Sequence, residues 1–469
     1  MDKSLHDAVL AANRFGLGAR PGDLQEIAHD PKEWVLSQLE NPAPPLKALQ
    51  ELDDSPTYLN RYTEFRKEFR AARQQAAQNK NADVPVFTKR FGRDFRAEIQ
   101  LRARQQCATD SPVHERLVMF WSNHFTVSAE SQDVHVVAGS FEREAIRPNV
   151  CNDFASLLLG VEQHPAMLLY LNNEVSIGPD SAVGQRRTQR KADLPSGINE
   201  NLAREIMELH TLSVDGDYTQ QDVIELARGL TGWRTPMQAP NARSTRELSP
   251  FGSVYQHDAH EPGNRELLGQ TFDQEGLAQG RSMLRFLASQ EDTARFIATK
   301  LARHYVADEP PEELVEHLVK TYQQNKGELM PVYRALFTHD LAWQTETRKF
   351  RRPDEYLIAM YRALDELPGG DDNHWGRELN LLGQTPFAPR APAGWGDTAR
   401  DWIGADALWK RLLIAQRHAA KLDPQRNPME LAQDSLGPQL KEATAVAISQ
   451  TNPRQGTAIL LASPEFQWR

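Results

Sequence analysis

Ser111-Pro112-Val113-His114-Glu115-Arg116-Leu117-Val118-Met119-Phe120-Trp121-Ser122-Asn123-His124-Phe125 is the stretch on which the fold class turns. Ser111 suits the cap of a helix, and Pro112 suits its first turn, where no backbone donor is needed. Leu117, Val118, Trp121 and Phe125 then recur at helical spacing on one face. The segment predicts a helix over 111–128. The same period governs the chain on either side of it. Sustained alternation of β-branched residues, the mark of half-buried strands, is not found. The sequence therefore predicts an all-α protein: a large multi-helix array, with at most minor strands in an irregular central region.

Toward the N-terminus, residues 5–40 read as two short helices around Arg20-Pro21-Gly22-Asp23. Residues 60–106 are rich in Arg, Lys and Gln and read as a basic, solvated helical hairpin with Gln78-Asn79-Lys80-Asn81 at its tip. A patch for an anionic partner is the sharper alternative there. Toward the C-terminus, a helix over 140–171 is expected to break at Pro148 and Pro165. Residues 176–198, carrying Arg186, Arg187, Arg190 and Lys191, read as an exposed basic loop. Residues 199–213 read as one regular helix. Thr219 and Asp222 form a capping-box variant ahead of Val223, Ala227 and Leu230. Residues 234–275 are irregular and rich in Pro, Gly and Ser. Helices resume at 276–306, 311–340, 353–366, 405–422 and 436–462, interrupted by a Gly/Pro/Trp-rich stretch at 383–404. Residues 1–469 are expected to form a single composite domain whose first and last helices pack together.

Composition narrows the function. The chain has 469 residues and a formal net charge of −10. An acidic balance argues against general nucleic-acid binding, which draws most of its affinity from basic surface. Cys107 and Cys151 make no disulfide framework and no cysteine zinc site; both read as small buried hydrophobes. A run of about 18 apolar residues, the length that spans a bilayer, is absent. The first residues, Met1-Asp2-Lys3-Ser4-Leu5-His6-Asp7, lack a signal-peptide core, so a cytoplasmic location is expected. Asn13 to Gly18 is glycine-bearing but follows no strand, which argues against nucleotide binding.

Several blocks, in order, resemble one bacterial family, the domain of unknown function 1800. They are Asn13-Arg14-Phe15-Gly16-Leu17-Gly18, Glu115 to Phe125, Pro165-Ala166-Met167-Leu168-Leu169-Tyr170-Leu171, Asn199 to Leu212, Ala227-Arg228-Gly229-Leu230-Thr231-Gly232-Trp233 and Leu460-Leu461-Ala462-Ser463-Pro464-Glu465-Phe466. The segment His260-Glu261-Pro262-Gly263-Asn264-Arg265 is similar to a family motif that usually has Lys where Arg265 stands. The resemblance implies a chain related to proteins that often look exported. It also implies a partner, a sulfatase-like protein that family members often neighbour. It carries over no catalytic residue.

Two groups of residues are candidates for chemistry. On the helix 199–213, steps of four and three place Asn201, Glu205 and Glu208 on one stripe flanked by Arg204. His210 falls on the apolar side, away from the carboxylates. An exposed acidic face is the plain reading; shared binding of a cation with outside ligands is the sharper one. His124 lies on the flank of its helix's apolar face and reads as a core histidine with one hydrogen bond. As a ligand it would need His114, His135 or carboxylates nearby. The second group, His257, Asp258, His260 and Glu261, is the densest ligand-like cluster, with donors suited to a divalent metal, although its spacing fits no defined metal motif. In the 383–404 stretch, Trp395 either packs on a helix or walls a pocket for a sugar or aromatic ligand.

Two functions follow. One is an enzyme with a polar His/Glu site, metal-assisted in one version. Its catalytic groups would be Glu205, Glu208, His124 and Arg204, its metal ligands His260, Glu261, His257 and Asp258, and Arg204 or Arg265 would hold an anionic substrate group. The other is a non-catalytic accessory protein that binds the sulfatase-like neighbour. Both enzyme versions require the histidines and carboxylates to meet in one hollow.

Overall fold

The computed structural model describes residues 3–78, 83–189, 197–237, 245–346, 348–369 and 374–469. Helices dominate, as the periodicity predicts. The decisive stretch forms the helix Pro112–His124, with Pro112 in the first turn. Its apolar face is buried to the last residue: Leu117, Val118, Trp121 and Phe125 are all inaccessible. Among the described residues, strands occur only in and at the start of the irregular central region. Val254–Gln256 pairs antiparallel with Trp233–Arg234 on one side and Thr245–Glu247 on the other. Arg265–Leu267 and Gln270–Phe272 form a separate antiparallel ribbon.

The basic segment at 60–106 forms two helices, Ser55–Gln78 and Phe87–Ala108. They are held by aromatic faces: Phe91 stands 5.8 Å from Tyr62 and 5.6 Å from Phe65, ring centre to ring centre. The tip residues 79–82 lie outside the described residues. Between the helices, Arg61 binds Asp94 at 2.6 Å. The arginines of this hairpin are therefore partly used to hold it together.

The segment 176–198 departs from expectation. It is not a plain exposed loop, since Ala182–Gln189 is helical and Ser176, Ile177 and Ser181 are buried. Ser181 starts the helix by accepting from the Gly184 amide at 3.1 Å while donating to the Gly178 carbonyl at 2.6 Å. Arg190 and Lys191 lie outside the described residues. A second departure is in 199–213. The regular helix Asn201–Glu205 gives way to a π-helical turn, Ile206–His210. The hydroxyl of Thr211 caps it by donating to the Ile206 carbonyl at 2.7 Å.

Two apolar cores meet. The second gathers Leu17, Ile99, Ala103 and Met119 with C-terminal residues such as Tyr356, Leu379, Ile414 and Leu460. The first and last parts of the chain are thus packed together. Asn13 donates to the Ser435 carbonyl at 3.1 Å, and Arg14 to the Ala342 carbonyl. Cys107 is buried and Cys151 partly so, and both are free thiols raised by burial, Cys151 to about 11. Among the described residues no helix is long and apolar enough to cross a membrane.

Between the cores runs a buried ionic centre. Glu355, inaccessible to solvent, pairs with Arg116 and with Arg469, the latter at 2.9 Å. The Arg352 amide also donates to it, at 3.0 Å. These partners hold the Glu355 carboxyl well below its ordinary range, against the opposing effect of burial. Nearby arginines tie distant backbone carbonyls together. Arg351 donates to Phe466, Arg411 to Arg351, and Arg362 to Gly18, at 2.7 Å in each case.

Candidate functional site

His124 is a core histidine. Its Nε2 is 3.2 Å from the His210 carbonyl, and its Nδ1 has no partner among the described residues. Its ring neighbours are Phe120, Trp121, Phe125, Phe296 and His210; neither His114 nor His135 is among them. Burial pushes its pKa far down, with Lys300 adding to the effect. His210 does turn inward, as its helix position requires, and meets a residue that the spacing alone did not flag. Its Nδ1 is 2.8 Å from Glu162, a fully buried carboxylate.

The carboxylate stripe stays half-exposed. Glu205 is raised by burial; Glu208 is engaged by Arg204 at 3.4 Å. Arg204 also binds Glu200 at 3.0 Å and Gln220 at 2.9 Å, so its guanidinium is shared among protein groups. This stripe and His124 lie apart from His260, whose ring neighbour is Tyr255 and whose hydrogen-bonding neighbours are Thr231 and Gln279. The cleft that holds His260 is lined by none of His124, Glu205 and Glu208, and the aromatic cage around His124 keeps its imidazole in the core.

His257, Asp258, His260 and Glu261 do come together. They line one cleft of about 520 Å³ with Asp180, Asp273, Glu275 and Gln279. The strand Val254–Gln256 and the short turn His257–Ala259 deliver the cluster. Glycine makes room for it: a Cβ on Gly178 would lie 2.4 Å from the Glu261 carboxylate. His260 is nearly buried, and its Nδ1 is 3.0 Å from the Thr231 carbonyl. A carbonyl only accepts, so Nδ1 carries the proton and Nε2 is the base in the neutral ring. Burial lowers the His260 pKa; Thr231 and Gln279 act in the opposite sense. Glu261 is raised, chiefly by burial, although the Asp180 amide donates to it at 2.9 Å. A neutral imidazole thus sits beside a carboxyl biased toward its protonated form.

The donors do not fit a metal ion. Asp258 is bound by Arg186 and by Gln256, each at 2.9 Å, and His257 is exposed. Among the described residues no three His, Cys, Asp or Glu side chains are placed to hold one. Arg265 is likewise committed. It donates to the Pro262 carbonyl at 2.6 Å and pairs with Glu225 at 3.3 Å, bracing the loop rather than facing the cleft.

The 383–404 stretch packs on a helix. Asn123 pins Trp395 twice, donating to its carbonyl at 3.0 Å and accepting from its amide at 2.8 Å. The polar cavity beneath, lined by Arg102, Glu142, Arg352 and Asp354, measures about 60 Å³. That is room for a few waters and too little for a sugar ring.

A largely helical body with a histidine–carboxylate cleft on its strand-bearing region is the class that these features define. The chain belongs to the family described as Protein of unknown function (DUF1800), whose model matches residues 10–468. No curated protein and no solved structure matches it.

Proposed function

We propose that the protein is an acid–base enzyme acting in the cleft around His260. The observation that carries this reading is the pairing of opposite perturbations in one concavity. His260 is held neutral with a fixed tautomer, and Glu261 beside it is held toward the acid. Such a pair supplies a base and an acid in one cleft. The lining contains Asp180, Asp258, Glu261, Asp273 and Glu275 and no lysine or arginine. The part of the substrate that enters is therefore cationic or neutral and hydroxyl-rich. Glu205, Glu208, His124 and Arg204 are not needed in this version.

The test is an NMR fragment screen with amines and polyols, using protein carrying labelled histidine. Fragments are expected to shift the His260 ring signals, and His260→Ala to abolish their binding with little change in melting temperature. If none of the fragments shifts His260, or the Ala variant binds them as well as the wild type, the reading fails.

One observation favours the accessory reading, with the sulfatase-like neighbour as the partner that the family resemblance implies. The helix Ala405–Ala419 exposes large apolar side chains beside its buried face. Ile414 and Ala415 are buried, while Leu408, Trp409 and Leu413 are exposed by 40, 58 and 37%. Large apolar side chains exposed together on one helix are ordinarily covered by a partner. Trp409→Glu is expected to abolish co-purification of that neighbour when the two are expressed together. Retention by the variant, or no co-purification with the wild type, counts against it.

A further inference from the structure

Beside the His260 cleft lies a second one, of about 760 Å³, sharing His257, Glu275 and Gly276 with it as a common wall. Its character is the reverse. Arg246, Arg281 and Arg285 line it, with Glu275 the one carboxylate among the lining residues. Arg281 and Arg285 stand four apart on the helix Leu277–Ala288, a like-charge pair that costs stability unless an anion compensates it. The three arginines form no ion pair with any described carboxylate. Arg281 is instead braced by neutral acceptors: it donates to Gln163 at 3.1 Å and to the Leu248 carbonyl at 2.8 Å. Its guanidinium is thereby fixed in place without being neutralised.

A second observation is independent of charge. Tyr255, on the central strand, is 2% exposed and lines this cleft, and its hydroxyl has no hydrogen-bond partner among the described residues. A buried hydroxyl without a partner costs free energy that a ligand recovers. Gly276, at φ +62°, starts the helix directly over it; a Cβ there would stand 2.9 Å from that hydroxyl. The same turn brings the first two residues of the helix, Leu277 and Ala278, to the cleft wall, at the end where the helix dipole favours an anion.

We infer that this second cleft binds a tetrahedral oxyanion, the phosphate or sulfate group of a substrate whose remaining polar part reaches into the neighbouring cleft. Guanidinium groups, a phenol and helix amides are donors, and such an anion offers only acceptors. Binding here does not require His260 to move protons, so it is read without turnover.

The experiment is calorimetric titration of the full chain with inorganic phosphate, sulfate and glycerol phosphate at constant ionic strength, with chloride as control. Saturable binding of all three and none of chloride is expected. Arg285→Glu and Arg246→Glu should each weaken it by about tenfold or more, the loss of one charge-assisted contact. Tyr255→Phe should weaken it about threefold with an unchanged circular dichroism spectrum, as for one neutral donor. His260→Ala should leave anion affinity intact, which separates this site from the acid–base reading. Equal affinity in wild type and Arg285→Glu overturns the inference, as does a response matched by chloride. Exclusion of glycerol phosphate while the inorganic ions bind overturns the assignment to a substrate group.

Discussion

Glu355→Gln is expected to lower the unfolding free energy by about 3–5 kcal/mol, the cost of leaving buried charge without its counter-ion. The substitution keeps the shape of the side chain and removes its charge. Arg116 and Arg469 then remain inaccessible with no carboxylate between them. Arg351 and Arg352 crowd the same interior, and burial, with Arg116 and Arg469 adding to it, already lowers the Arg351 pKa to about 9. The check is the urea midpoint at pH 7. One cooperative transition is expected, because the centre joins residues from both ends of the chain. A midpoint within error of the wild type would show that water or other groups compensate the arginines. Replacing Arg116 together with Glu355 by apolar residues should cost less than the single change, since no charge is then stranded.

Acidification should produce the second large effect. His304 and His114 are both lowered to about 4 by burial, from an ordinary value near 6.5. Below pH 6.5 the unfolded chain takes up protons at these positions and the folded chain does not. Stability is therefore full above about pH 6.5 and declines until about pH 4, where the folded imidazoles titrate as well. By pH 5 the loss is on the order of 2 kcal/mol for each such histidine. The depressed carboxylates act later and with the opposite shift. Glu355 and Asp397 lie below their ordinary range in the fold, so their contribution is present above about pH 4 and is lost only as pH falls further. Two descending limbs are expected in a plot of urea midpoint against pH. His114→Gln should shrink the limb between pH 6.5 and 4 and leave the lower one in place. A flat profile from pH 7 to 5 would mean that these imidazoles are solvated.

The helices were legible because burial writes a period into the chain. Leu117, Val118, Trp121 and Phe125 announce their helix without any knowledge of what covers it. The ionic centre left a fainter trace. Glu115 and Arg116 interrupt an apolar run, a sign that charge is going inside, yet Glu355 lies 239 residues on from Arg116 and nothing local names it as the partner. The Glu162–His210 pair was hidden in the same way. The cluster His257-Asp258-His260-Glu261 was visible as density of donors. What those donors do depends on Thr231, Gln279 and Arg186, which only tertiary structure brings alongside. The expected meeting of His124 with Glu205 and Glu208 depended on how the helices assemble, and that assembly surrounds His124 with aromatic rings instead. The three arginines of the second cleft come from a strand and a helix 35 residues apart at their nearest and gave no pattern in one dimension (Arg246 to Arg281).

The position of Arg469 has a consequence for synthesis. Its guanidinium completes the shell of Glu355 and also donates to the His304 carbonyl, at 2.8 Å. While a ribosome still encloses that residue, the carboxylate and its other guanidinium neighbour sit in a half-built interior open to water. Helices emerging early can form, but the closing of this interior waits on translation of Arg469. A chain cut before Arg469 therefore leaves Glu355 with Arg116 alone and the shared interior open on that side.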